Sequence, residues 1–106
     1  MTTEQRRAIE IDLITVLRTI YDPEIPVNIY ELGLVYEIAI SDDADVKILM
    51  TLTSPNCPVA ESLPQEVQEK TSLVKNIRSV QVELTFEPPW DQEMLSEEAK
   101  LELGFL

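Results

Sequence analysis

Histidine is absent from this 106-residue chain, cysteine occurs once, glycine occurs twice, and Lys and Arg together number 8 against 20 Asp and Glu. Each scarcity excludes chemistry. Without histidine, the usual zinc and haem sites and a Ser-His-Asp triad have no material. The lone cysteine, Cys57, allows no internal disulfide and no all-cysteine metal site within one chain. Gly33 and Gly104 supply no glycine-rich phosphate cradle, which rules out a P-loop. The formal net charge of -12 argues against nucleic acid, because phosphate backbones are held mainly by lysine and arginine. Over most of the surface such acidity serves solubility, and it leaves basic protein surfaces or cations as partners. No apolar run approaches the length of a membrane span, and Met1-Thr2-Thr3-Glu4-Gln5-Arg6-Arg7 leads into no signal-type apolar block. A cytoplasmic protein that binds neither membrane nor nucleic acid is expected.

The length suits a single domain, 1–106, that buries about two-thirds of its unfolded surface without staples. Thr2 followed by Gln5 resembles a capping box, and Ile9, Leu13, Val16, Leu17 and Ile20 recur at helical spacing. The spacing predicts a helix from about residue 3 to about residue 20. Two prolines in Tyr21-Asp22-Pro23-Glu24-Ile25-Pro26 then favour an extended loop. Leu34, Tyr36, Ile38 and Ile40 alternate with Val35, Glu37 and Ala39. After a turn at Asp42, Asp43 and Asp45, Val46, Ile48, Met50 and Leu52 alternate again, so the two runs read as a hairpin.

Val59, Ala60, Leu63, Val67 and Val74 fit a helix that faces the sheet, with Pro64 expected to bend it or divide off its first turn and Ser62 with Gln65 to cap the new start. Val80, Val82, Leu84 and Phe86 alternate with Gln81, Glu83 and Thr85 as a third strand, ended by Pro88-Pro89. Ser96 then caps a short helix that closes near Gly104. The order helix, strand, strand, helix, strand, helix predicts a two-layer α+β domain with a three-stranded mixed sheet. The right-handed crossover sets the third strand parallel to the second. Thr51 and Thr53 share one side of the second strand, with Thr85 on the matching set of the third, as a polar face.

Cys57 lies between two prolines in Thr51-Leu52-Thr53-Ser54-Pro55-Asn56-Cys57-Pro58, where an extended run gives way to a helix. Proline favours the first helical position, which leaves Cys57 at or beside the cap, where backbone N–H groups favour a thiolate. Asp22, Glu24 and Glu61 would oppose that shift if close. The bland reading makes Cys57 a small buried hydrophobe, Asp22 a turn cap and Glu24 a solvated charge. Gly33 reads as serving a backbone conformation or a close approach, and Trp90 as filling the core.

Three ordered blocks carry a family likeness. Asp22-Pro23-Glu24-Ile25-Pro26-Val27-Asn28-Ile29-Tyr30-Glu31-Leu32-Gly33-Leu34-Val35-Tyr36, then Met50-Thr51-Leu52-Thr53-Ser54-Pro55-Asn56-Cys57-Pro58, then Phe86-Glu87-Pro88-Pro89-Trp90 resemble the signature segments of the SufT-like and PaaD-like family. That family is related to the eukaryotic cytosolic iron–sulfur targeting factors. The likeness spans nearly the whole chain to Leu103-Gly104-Phe105. It implies the α+β fold reached above and an auxiliary, non-enzymatic role in metal–sulfur maturation, the assembly of iron–sulfur clusters or their delivery to carrier or recipient proteins. The implied site maps onto Asp22, Glu24, Thr51, Thr53 and Cys57. Clusters normally take four thiolates, so metal at Cys57 needs ligands from a partner or a second subunit. The expectation is therefore no tightly bound cofactor, a transient iron or iron–sulfur cluster, and a monomer or homodimer. Asn76 stands where the family often has glycine, a change that a left-handed turn tolerates. Members of the phenylacetate branch usually carry a further cysteine-bearing C-terminal region, which is not among these 106 residues, so that branch is the less expected one.

Two alternatives remain, an adaptor that binds proteins but no metal and an accessory factor for maturing a multicomponent aromatic oxygenase. A cysteine enzyme is disfavoured, because no histidine is present to activate Cys57. Placement of Cys57 at the sheet's end predicts that thiol reagents label it in the folded protein. Labelling only after denaturation makes it a packing residue.

Overall fold

A computed structural model gives the architecture and describes residues 1–23, 25–53 and 59–104, with the side chains of 59–61 outside the described set. Its elements are α1 (Thr3–Leu17), β1 (Val35–Ile40), β2 (Asp45–Met50), α2 (Val59–Thr71), β3 (Ser79–Leu84), a 3-10 turn (Gln92–Met94) and α3 (Glu97–Glu102). The sheet order is β1-β2-β3, with β1 antiparallel and β3 parallel to β2. The mixed three-stranded α+β architecture is therefore the expected one.

At the start of α1, Gln5 N donates to Thr2 Oγ1 at 3.0 Å and Thr2 N donates to Gln5 Oε1 at 2.8 Å, so both halves of the capping box form. Ile9, Leu13 and Leu17 bury its inner stripe. The helix stops at Leu17 and not near residue 20. Thr19 N and Ile20 N reach back only three residues, to Val16 and Leu17 carbonyls, at 2.9 and 3.3 Å. That tightened turn drops Ile20 fully into the core.

β2 is the central strand, and its inward residues Val46, Ile48 and Met50 are buried in one cluster with Leu13 of α1 and Leu63 and Val67 of α2. The helices thus occupy one face, while Lys47 and Glu83 pair at 3.1 Å on the other. α2 runs unbroken through Pro64, contrary to the division expected at Ser62 and Gln65. Proline near a helix start forgoes a single ladder bond, toward Ala60, and burial of Leu63 and Val67 outweighs it. Val74 lies beyond the helix end, half-buried against the core.

β3 ends at Leu84, short of the expected reach to Phe86. Thr85 N makes the last link to β2, at 2.8 Å to Met50 O, and then Glu87 N donates to Thr85 Oγ1 at 3.2 Å, turning the chain away. Asn76 has φ 68, the left-handed conformation expected of it. Ser96 Oγ accepts from Ala99 N at 3.1 Å to cap α3, and Gly104 follows with φ 82. Among the described residues no helix is long and apolar enough to cross a membrane.

The hairpin turn and the head of β3 are tied electrostatically. Arg78 Nε donates to Asp45 Oδ1 at 2.9 Å and Ser79 Oγ to the same oxygen at 2.7 Å. The Arg78 guanidinium first, and the Ser79 hydroxyl second, hold the Asp45 carboxyl below its ordinary value. A depressed folded-state pKa contributes stability above the unfolded value, and that contribution is lost as pH falls through the folded one. Asp45→Asn is accordingly expected to lower Tm at neutral pH. The difference from wild type should close as pH drops below about 4 and shrink in high salt. Thermal melts across acid pH check this, and a difference that persists in strong acid contradicts it.

Candidate functional site

The Asp22 loop is built as part of the core. Val27, Ile29, Leu32 and Leu34 are essentially inaccessible, so the connection between α1 and β1 is anchored by its own apolar side chains. Its backbone is laced to the sheet in steps. Ile29 N donates to Ile20 O at 2.8 Å, Leu34 N to Ile29 O at 3.1 Å, and Thr51 N to Leu34 O at 2.8 Å. Asp22 N in turn donates to Val27 O at 3.3 Å. This ladder carries the Asp22 loop and Thr51 to the same end of the sheet, where β1 begins and β2 ends.

Asp22 is 4% exposed. Ile25 N donates to its Oδ1 at 3.0 Å, so the carboxylate caps the proline-bearing turn as the bland reading expects. Thr51 is fully buried and its Oγ1 makes no hydrogen bond. The threonines do not form an exposed polar face, since Thr51 is buried and Thr53 and Thr85 are half-buried. Thr53 is half-buried in the bend that follows β2. Backbone bonds thus link the loop that carries Asp22 to Thr51, with Thr53 following in the chain. Glu24 and Cys57 lie outside the described residues, and α2 begins at Val59, two positions beyond Cys57 in the chain. Among the described residues no cluster of His, Cys, Asp or Glu is arranged to hold a metal.

Tyr36 is a participant that the sequence did not single out. A bulge between Val35 and Glu37 sets Val35, not Tyr36, opposite Met50. The Tyr36 hydroxyl donates to Pro88 O at 2.7 Å. Burial raises its pKa, the neighbouring Thr51 hydroxyl opposes that shift without reaching hydrogen-bond geometry, and Asp91 adds to it. Strict alternation would have placed Tyr36 with Ile38, and nothing in the residue types announces a bulge.

Two further contacts hold the segment after β3. Trp90 Nε1 donates to Leu32 O at 2.7 Å, which satisfies a loop carbonyl while the ring packs on the core, as expected of it. Ser96 N donates to Glu31 O at 2.9 Å. On the opposite side, Arg18 pairs with Glu31 at 3.2 Å and lies 5.2 Å from the Tyr30 ring centroid. Such a half-exposed pair contributes at most about 1 kcal/mol and serves mainly to orient the loop.

With this geometry in place, the chain can be assigned. Residues 10–84 match the family model described as iron-sulfur cluster assembly protein, and the chain belongs to that family. It is 53% identical over 97 residues, 92% of each chain, to a protein of Porphyromonas gingivalis named Fe-S protein maturation auxiliary factor. A Staphylococcus aureus protein, Fe-S protein maturation auxiliary factor SufT, is 34% identical over 80% of this chain and 97% of its own. Among solved structures, a domain of unknown function from Bacillus anthracis superposes with a TM-score of 0.85 at 34% identity, covering 94% of this chain and 95% of that one. The family likeness carried by the three sequence blocks is thereby borne out.

Gly33 is the tightest point of the assembly. Its φ is +80, and a Cβ there would lie 2.3 Å from the Met94 carbonyl oxygen. Gly33→Ala therefore combines left-handed strain of about 1–2 kcal/mol with displacement of the segment after β3. A total loss of about 2 kcal/mol or more is expected in denaturant unfolding, with altered Trp90 emission before the global transition. Wild-type stability and emission would show that the contact yields freely.

Proposed function

We propose that this chain acts in the cytoplasm as a single-domain auxiliary factor for iron–sulfur maturation. It presents the site formed by Asp22, Glu24, Thr51, Thr53 and Cys57 to a carrier or recipient protein and catalyses no reaction of its own. Iron or a cluster is its cargo, held transiently. One thiol with carboxylates is an incomplete ligand set, so the partner or a second subunit supplies the rest. The names of the Porphyromonas and Staphylococcus relatives support the chemistry.

The observation that carries this reading is the fully buried, unpartnered Thr51 hydroxyl. Burying a hydroxyl without a hydrogen bond costs about 1–3 kcal/mol, and a group kept at that cost calls for a role other than folding. Beside it, a groove of ≈ 510 Å³ lined by Tyr36, Leu49, Pro88 and Met94 is flanked by Glu37 and Glu87. That lining suits a basic partner with an apolar anchor.

Two measurements test the reading. Deleting the gene is expected to lower the activity of cluster-dependent enzymes under high iron–sulfur demand, with Cys57→Ala and Asp22→Ala failing to restore it. Unchanged activity of every such enzyme in the deletion strain would sink the maturation role, and full rescue by Cys57→Ala would remove the thiol from it. Thr51→Val is expected to leave Tm unchanged or raise it while weakening complementation. A variant that melts lower but complements fully would make Thr51 a purely structural residue.

A further inference from the structure

Among the described residues β3 lies at an edge of the sheet, paired with β2 on one side. On its other side, the described residues place the Gln68 side chain. Val82 N donates to Gln68 Oε1 at 3.1 Å, and Gln68 Nε2 donates to Val80 O. In a parallel ladder, a residue facing Gln81 would bond these same two groups, donating to the carbonyl before it and accepting from the N–H after it. The Gln68 carboxamide, half-buried on α2, therefore imitates one residue of a fourth strand. Ladder bonds to β2 use the alternate positions, as in the link from Thr85 N to Met50 O. The outward backbone groups are consequently those of Val80, Val82 and Leu84.

Such an edge is a template for pairing unless something guards it. β3 reads Ser79-Val80-Gln81-Val82-Glu83-Leu84, with no proline and no lysine. Its register with β2 runs without a bulge from Asp45↔Ser79 to Met50↔Leu84, and Leu84 is 37% exposed. The usual protective devices are missing from β3, and Gln68 stands where one is needed.

We propose that Gln68 is an edge lock, whose carboxamide holds the outward backbone groups of β3 and prevents that strand from pairing with β3 of a second copy of this chain. The second copy fits because the strand is self-complementary. Antiparallel pairing about a two-fold axis at Val82 sets Val82 against Val82 and Val80 against Leu84, using all the outward groups. It also places Gln81 opposite Glu83 in both halves, so no like charges meet across the junction. What opposes pairing is the net charge of -12 on each chain, which salt screens. The inference stands apart from the maturation reading.

The test is sedimentation of the full chain over a concentration series at low and high salt. Gln68→Ala is expected to self-associate roughly tenfold or more tightly than wild type, as two hydrogen bonds within the chain are lost, and more tightly still at high salt. Adding Gln81→Lys, which sets an ammonium opposite Glu83, should strengthen association, whereas adding Gln81→Glu should weaken it. Val67→Ala, which loosens the core but leaves the lock in place, should associate as wild type does. Should Gln68→Ala fail to fold, Gln68→Glu keeps the acceptor for Val82 N–H but not the donor to Val80 O, and it should associate to an intermediate degree. Association of the folded Gln68 variants at the wild-type level would overturn the proposal, as would an equal response to the two Gln81 substitutions or association of Val67→Ala matching that of Gln68→Ala.

Discussion

The organisation of this molecule depends on a run of backbone hydrogen bonds that crosses from the end of α1 through the loop to the end of β2. Ile29 is bonded to Ile20, Leu34 to Ile29 and Thr51 to Leu34. Together these links convert a proline-bearing connection into an extension of the sheet. Burial of Val27, Ile29, Leu32 and Leu34 makes the arrangement stable, because each fully buried aliphatic side chain contributes about 1.5–3 kcal/mol. Asp22 is held by that framework, and the segment after β3 is tied to the same loop through Trp90 Nε1 to Leu32 O and Ser96 N to Glu31 O. The described part of the loop is thereby ordered by contacts within the chain itself.

How much of this was legible in the sequence differs by element. The capping box of α1, the hairpin, the parallel third strand, the Ser96 cap and the left-handed Asn76 all follow from short-range patterns, and each appears as expected. Boundaries were less legible. α1 gives way to a 3-10 turn so that Ile20 can enter the core, and the Thr85 side chain turns the end of β3 toward Pro88. α2 survives Pro64 because tertiary burial outweighs a local propensity.

The site was legible only in part. Asp22 as a turn cap and Gly33 as a close approach were readable from residue type, and both hold. The burial of Thr51 was not, because strand periodicity assigns a residue to a face of the sheet but not what covers that face. Tyr36 was missed for a similar reason, because its position follows from a bulge and a long-range bond to Pro88 O. Apolar residues at alternate positions in the loop, Val27 with Ile29 and Leu32 with Leu34, were the available sign that it belongs to the core.

The proposal that iron–sulfur cargo is handled through Cys57 and a partner's ligands is tested most directly by anaerobic incubation with iron and sulfide, alone and with an apo recipient protein, for wild type and Cys57→Ser. Protein-bound iron, acid-labile sulfide and cluster absorbance are followed. The account predicts little stable cluster on wild type alone, faster appearance of cluster in the recipient when wild type is present, and loss of that acceleration in Cys57→Ser. Equal acceleration by both proteins would contradict it.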